Sequence, residues 1–166
     1  MTALWIAKWR TGKWDLGLGL NGVLGGLVAI TAPVAWVEGW AAVIIGVIGG
    51  IIVYVGVRFL ESRGVDGPVG AVSVHGFNGV WSLISVEIFA DGTYGVTGLV
   101  GGGFGQIIAQ LIGAPIVFAW AFGMGFLIFK TMDRFIGIRV SPEVELQGLD
   151  VPEHGGEAYP EFVQKG

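Results

Sequence analysis

Cysteine is absent from this 166-residue chain, which removes disulfides, thiolate nucleophiles and Cys-ligated zinc or iron–sulfur clusters. Histidine occurs only at positions 75 and 154, so no metal site and no cofactor are expected. Charge is scarce too: charged residues make up 13% of the chain, against roughly 25% in an ordinary soluble domain. Such a chain cannot build the charged shell of a free-standing soluble protein. No basic patch is available to neutralise phosphates, so nucleic acid is excluded as a partner. There is no paired carboxylate and no Ser/His/Asp set. The run Gly101-Gly102-Gly103 has no Lys or Ser/Thr partner at phosphate-loop spacing. An enzyme is therefore not expected. The opening MTALWIAKWRTGK carries no basic leader and is not expected to act as a signal peptide.

Apolar residues and glycine are abundant. Hydrophobic types account for 53%, the mean hydropathy is +0.73, and 31 residues are Gly. Disorder is excluded by the hydrophobicity, and collagen by the lack of a three-residue Gly period. A bilayer core of about 30 Å requires roughly 20 apolar residues of helix. Uncharged runs of that order cover about 16–37, 40–57 and 67–86, the last read as a span over 67–89, and a fourth stretch, 92–129, is too long for one straight helix. Its first part, GTYGVTGLVGGGFG, reads as an outer loop or re-entrant turn over 90–105; the rest, 106–130, reads as a span. The expected fold class is an all-α membrane protein with four transmembrane helices.

Four spans place all nine basic residues on one side. Lys8, Arg10 and Lys13 precede the first span, Arg58 and Arg63 lie between the second and third, and Lys130, Arg134, Arg139 and Lys165 follow the fourth. The opposite connections carry Glu38, Glu87 and Asp91. Both ends of the chain are then cytoplasmic. Residues 1–15 read as a cytoplasmic segment ahead of the first span, 16–132 as the membrane domain, and 133–166 as a cytoplasmic tail. The tail is acidic, and its prolines and glycines leave two readings open: disorder, or a docking element built of turns. Small-xxx-small pairs at Gly22/Gly26, Gly46/Gly50 and Ala121/Gly125 permit close helix approach. They serve a tight bundle or contacts with helices outside this chain.

His75 is the one titratable side chain well inside a span. Intramembrane ionisable groups are costly and are functional candidates by default. At α-helical spacing Asn78 and Ser82 share its face, with Ala71 and Gly79 keeping that face narrow. The ring is either a structural group bonded across helices or a proton-handling group beside a path for a small polar solute. Glu87, at the outer end of the third span, reads as an interface anchor.

Several stretches resemble one family. VDGPVGAVSVHGFNGVW is similar to the motif around the second pore histidine of the ammonium transporter/methylammonium permease/Rhesus family. LNGVLGGLVAITAPVAWV resembles its preceding helix, LVGGGFGQIIAQLIG its outer loop and last helix, and GIRVSPEVELQGLDVPEHGGEAYPEF its cytoplasmic C-terminal region in the ammonium-transporter branch. The resemblance implies eleven spans per subunit, a homotrimer with one pore per subunit, and a plasma (inner) membrane location. It implies that this chain is a partial ammonium-transporter fold, the last four spans plus tail, with residues 1–15 as the cytoplasmic end of a truncated preceding helix and a loop, working with an N-terminal half. His75 would match the second histidine of a twin pair, with Ala71, Asn78 and Gly79 lining the pore. Asp66, Pro68 and Gly70 would form an inner-turn motif, in which Gly67 stands where many relatives carry a second Asp. Gly148, Asp150, His154, Gly155 and Tyr159 match the regulatory tail pattern, near a docking site for a PII-type nitrogen-signalling protein. Pro152 stands where plant relatives carry a regulatory Thr, so that phosphorylation control is not expected.

The implied function is conduction of ammonium/ammonia across the lipid bilayer, in which ammonium deprotonates, ammonia passes an apolar His-lined pore and the proton is relayed. The alternative is a non-transporting membrane assembly or sensor subunit whose tail recruits a cytoplasmic partner. A third reading is a small four-span transporter acting as a homodimer.

Overall fold

The computed structural model of the protein describes residues 1–65 and 67–156. Asp66 and Tyr159 lie outside the described residues, and of Pro68 only the backbone is described. Among the described residues the architecture is helical, with one isolated antiparallel bridge between Asp91 and Thr97. Seven α-helices follow in order: α1 Thr2–Thr11, α2 Leu16–Thr31, α3 Gly39–Ser62, α4 Asn78–Phe89, α5 Gly105–Phe135, α6 Pro142–Gln147 and α7 Asp150–His154. The chain divides into two compact units, Met1–Val117 and Phe118–Gly166.

In the first unit, α2 begins where the Asp15 carboxylate accepts the Leu18 N–H at 2.9 Å, filling one of the helix's orphan donors. It ends at Thr31, short of the expected Val37. Pro33 has no N–H to continue the ladder, and the Ala32 N–H turns to the Ser82 hydroxyl at 2.9 Å instead. In contrast, α3 outruns the expected 40–57 by a turn. The charged residues Arg58 and Glu61, 3.7 Å apart, close its last turn as an i,i+3 pair. Among the described residues two helices, α3 and α5, are long and apolar enough to cross a membrane; α2 is apolar but shorter.

Close backbone approach sets the packing of α1, α2 and α3. A Cβ on Gly22 would come within 2.8 Å of the Ala3 Cβ, and one on Gly50 within 2.7 Å of the Thr2 Cβ. Gly25 sits against the Val53 Cγ2, and a Cβ on Gly49 would lie 3.0 Å from the Ala29 Cβ. Ala3, Val53 and Val74 form the buried apolar centre, with Val28, Tyr54 and Val57 packed round it. The expected glycine pairs therefore split. Gly22 and Gly50 are used, while a Cβ on Gly46 or Gly125 would meet nothing within 4 Å among the described residues, and Gly25 and Gly49 do work that the four-residue spacing did not single out.

The third expected span is not one helix. Gly67 to Gly70 turn the chain, with a Gly70 N–H bond to the Gly67 carbonyl at 3.0 Å. Val72–Phe77 form a π-helical turn, and α4 follows. The local sequence explains the break: Gly70, Gly76 and Gly79 interleave with Val72, Val74 and Val80, all weaker α-formers than Ala or Leu. Beyond α4, residues 91–104 fold back on its end. The N–H groups of Gly98, Leu99 and Val100 bond to the carbonyls of Ala90, Glu87 and Ile88, so the glycine-rich loop caps the helix C-terminus. Asp91 accepts from the Thr93 N–H at 2.8 Å, and the Thr93 side chain and backbone hold its carboxyl below the ordinary range.

The second unit, in its described part, holds the end of α5, then α6 and α7. Ser141 caps α6 at the Val144 N–H, with Pro142 in the first turn. Arg139 Nη2 lies 3.1 and 3.0 Å from the two carboxylate oxygens of Glu145. The Glu143 carboxyl is held below its ordinary range by its own backbone N–H and by the Ser141 hydroxyl.

Candidate functional site

The expected site is built on the turn and helix that run from Gly67 to Phe89. Gly70 anchors its start. Its φ of +66° is the left-handed region, and a Cβ there would lie 3.0 Å from both Asn21 Nδ2 and Val57 Cγ2. Conformation and space both call for glycine. The residue before it, Val69, also has a positive φ, +53°, a conformation that costs a β-branched residue about 1–3 kcal/mol.

His75 lies in the π-helical turn and is exposed in this chain. Ala71, Val72, Gly76 and Val80 are exposed with it, and Gly79 is half-exposed. Asn78 is not on that side. It is fully buried, and Ser82 is 3% exposed, so the expectation that both share the histidine's face is corrected. A π-turn closes i→i+5 bonds and holds more residues than the roughly 3.6 of an α-turn. Positions four apart then come into line: 71, 75 and 79 on the open side, and 74, 78 and 82 on the buried side.

The buried side is a polar seam. Asn78 Nδ2 donates to the Ser73 carbonyl at 3.1 Å. Ser82 accepts from Ala32, and the Ser85 hydroxyl donates to the Ser82 carbonyl at 2.8 Å. Trp81 Nε1 donates to the Ile45 carbonyl at 3.2 Å, tying α4 to α3. Asn78 Oδ1 and Ser73 Oγ have no hydrogen-bond partner among the described residues. A buried polar atom left so costs about 1–3 kcal/mol, which an apolar residue in the same slot would avoid.

Glu87 also departs from expectation. It is 5% exposed rather than a surface anchor. The loop of 96–101 closes over it, and neither carboxylate oxygen meets a donor among the described residues. It contributes to the wall of an otherwise mainly apolar pocket of about 370 Å³ with Leu99, Gln110 and Pro115.

Of the tail residues, Gly148 ends α6, Asp150 opens α7, and His154 ends it. Gly155, at φ +71°, returns its N–H to the Val151 carbonyl at 3.0 Å as a left-handed cap. All four are exposed and lie in the second unit. No group of three or more His, Cys, Asp or Glu is arranged to hold a metal among the described residues. The sequence reading missed Ser73, Gly25 and Gly49. The only available signal was glycine recurring near the middle of two apolar helices.

The profile of the Ammonium Transporter Family matches residues 1–159. The ammonium transporter Amt2 of Archaeoglobus fulgidus is 53% identical over 171 residues, covering 98% of this chain and 36% of that protein. Ammonium transporter 3 of Dictyostelium discoideum is 41% identical, covering 96% and 39%. Among solved structures, one described as a sensor Amt protein superposes with a TM-score of 0.78 at 35% identity, over 92% of this chain and 38% of that one. Mep2 of Saccharomyces cerevisiae gives 0.74 at 28% identity, over 86% and 34%. The chain thus spans between a third and two-fifths of these relatives. With nearly its whole length under the family profile and more than half its residues shared with one relative, this chain is a membrane protein of the ammonium transporter family.

Proposed function

We propose that this chain forms part of an ammonium/ammonia pore, with further helices completing it, and that His75 is a station in the proton relay. The observation that carries the reading is the placement of that ring. It lies on an uncovered helix face kept narrow by Ala71, Gly76 and Gly79, in a segment matched throughout by ammonium transporters. A dry tunnel penalises any ion, by about 2.5–3.5 kcal/mol for a central charge on insertion scales. Potassium cannot shed its charge, whereas ammonium can give up a proton to an imidazole nitrogen and cross as ammonia. The uncovered length of α5, none of whose residues is buried, supports the need for more helices, as does the partial coverage of the relatives. We place the membrane domain over 16–132, with both ends on the cytoplasmic side of the inner membrane and a homotrimer as the assembly; the segregation of basic residues supports that orientation.

The test is flux in proteoliposomes, with this chain joined to the remaining helices of a close relative such as the Archaeoglobus Amt2. The joined protein is expected to carry ammonium and exclude potassium, and this chain alone to carry neither. His75→Ala is expected to lower ammonium flux at least about tenfold or to abolish the discrimination against potassium. Unchanged flux and selectivity would remove His75 from the relay.

A second reading is favoured by the likeness to a structure described as a sensor Amt protein. In it the helices anchor the chain, and Gly148, Asp150, His154, Gly155 and Tyr159 dock a PII-type signalling protein. Flux from the joined protein with no binding of a PII-type protein would set this reading aside.

A further inference from the structure

The π-turn that presents His75 is fastened from behind. Asn78 follows it directly, wholly buried, and holds two of the turn's carbonyls. Its side-chain Nδ2 donates to Ser73 at 3.1 Å, and its backbone N–H donates to His75. The amide reaches that position through a slot cut into two other helices. A Cβ on Gly25 of α2 would stand 2.8 Å from Nδ2, and one on Gly49 of α3 would stand 3.0 Å from Oδ1.

We propose that Asn78 is a positioning residue for His75, a lock that keeps the π-turn open and so keeps the imidazole on the uncovered face. The physical reason lies in the register. A π-turn accommodates one residue more than an α-turn, so closing it would shift the segment ahead by one residue's step, about 100° around the axis. That step is enough to carry the ring from the open side toward Val74 and the buried seam. An apolar side chain of similar size could fill the slot but could not donate to Ser73. Because Gly25 and Gly49 define the slot, the packing of α2 on α3 is coupled to the aim of the ring. The proposal rests on the reading of His75 as a relay and adds what orients it.

The chain's lack of cysteine makes single introduced thiols clean reporters. In the full chain in detergent, His75→Cys and, separately, Val80→Cys are reacted with N-ethylmaleimide, each with and without Asn78→Leu. Val80 lies on α4 beyond the turn and is exposed. Asn78→Leu is expected to slow the thiol at position 75 several-fold relative to that at 80, with helical content unchanged. An unchanged ratio overturns the proposal. If Asn78→Leu fails to fold, Gly49→Ala presses its methyl on Oδ1 and carries the same test: the same relative slowing supports the lock, and an unchanged ratio overturns it. In the joined transporter, Asn78→Leu is expected to lower maximal flux about tenfold while half-saturation stays within about twofold. A shifted thiol ratio in a protein whose His75→Ala variant transports normally keeps the lock and removes the relay, so the two failures are distinct.

Discussion

The helices α3 and α5 are alike in composition and unlike in circumstance. Their most apolar stretches have mean hydropathies of 2.4 and 2.1, yet a third of the first is buried in this chain and none of the second. Both are notched by glycine. In α3, Gly49, Gly50 and Gly56 each meet another segment within 3.0 Å of a would-be Cβ, whereas Gly113, Gly123 and Gly125 of α5 meet nothing within 4 Å among the described residues. Hydropathy reports whether a segment tolerates hydrocarbon. It does not distinguish lipid from protein as the neighbour, because lipid tails are as apolar as leucine. Only a partner backbone closing on the notch does that.

Matched substitutions sharpen the contrast. The largest effect is expected from Gly25→Leu, whose side chain must displace Val53 and Asn78 and thereby prise α2 from α3. Such overpacking costs at least about 1–3 kcal/mol and here should lie at or above the top of that range. Gly123→Leu in α5 should shift stability by less than about 0.5 kcal/mol. Denaturant unfolding followed by circular dichroism in detergent measures both, and equal losses would erase the distinction. Next come Ile45→Ala, at a fully buried position, and Ile116→Ala, at one 62% exposed. The first is expected to cost about 2–5 kcal/mol and the second well under 1. In the joined transporter the contrast should narrow. There Gly123→Leu is expected to reduce flux, and a normal flux would mean that this face of α5 meets lipid.

Smaller effects are expected outside the spans. Ser141→Ala removes the cap of α6 and should cost about 1 kcal/mol locally, seen as faster amide exchange at Val144. The smallest concerns Asp91. Its carboxyl sits below the ordinary range because the Thr93 side chain and backbone donate to it. A depressed folded value means that its contribution is complete at neutral pH and is lost as pH falls through that value. Acidification below the ordinary carboxylate range should therefore loosen the 91–97 loop, and Asp91→Asn should remove that pH dependence. Amide exchange at Thr93 reads both.

Much of this was legible in the residues. The apolar stretches and the loop of 90–105 follow from composition, and the turn at Gly70 follows from the family resemblance that the motifs carry. What was not legible was rotation. Asn78 was expected beside His75 because three residues make most of an α-turn, but the Val- and Gly-rich stretch opens into a π-turn and carries Asn78 to the other side. Glu87 was expected at the interface because it ends an apolar run, and no pattern in the loop announced that Gly98 and Leu99 would fold over it.

That this chain is helical and membrane-embedded follows from its residues alone, because a hydrocarbon solvent admits only long apolar segments with their backbone bonds satisfied internally. So does the prominence of His75, since a titratable ring in such a segment is conspicuous whatever its surroundings. The tertiary structure alone decided which side of the helix that ring occupies. A face is settled when two backbones touch at Gly25 and Gly49, and contacts between residues dozens of positions apart leave no local periodicity to read.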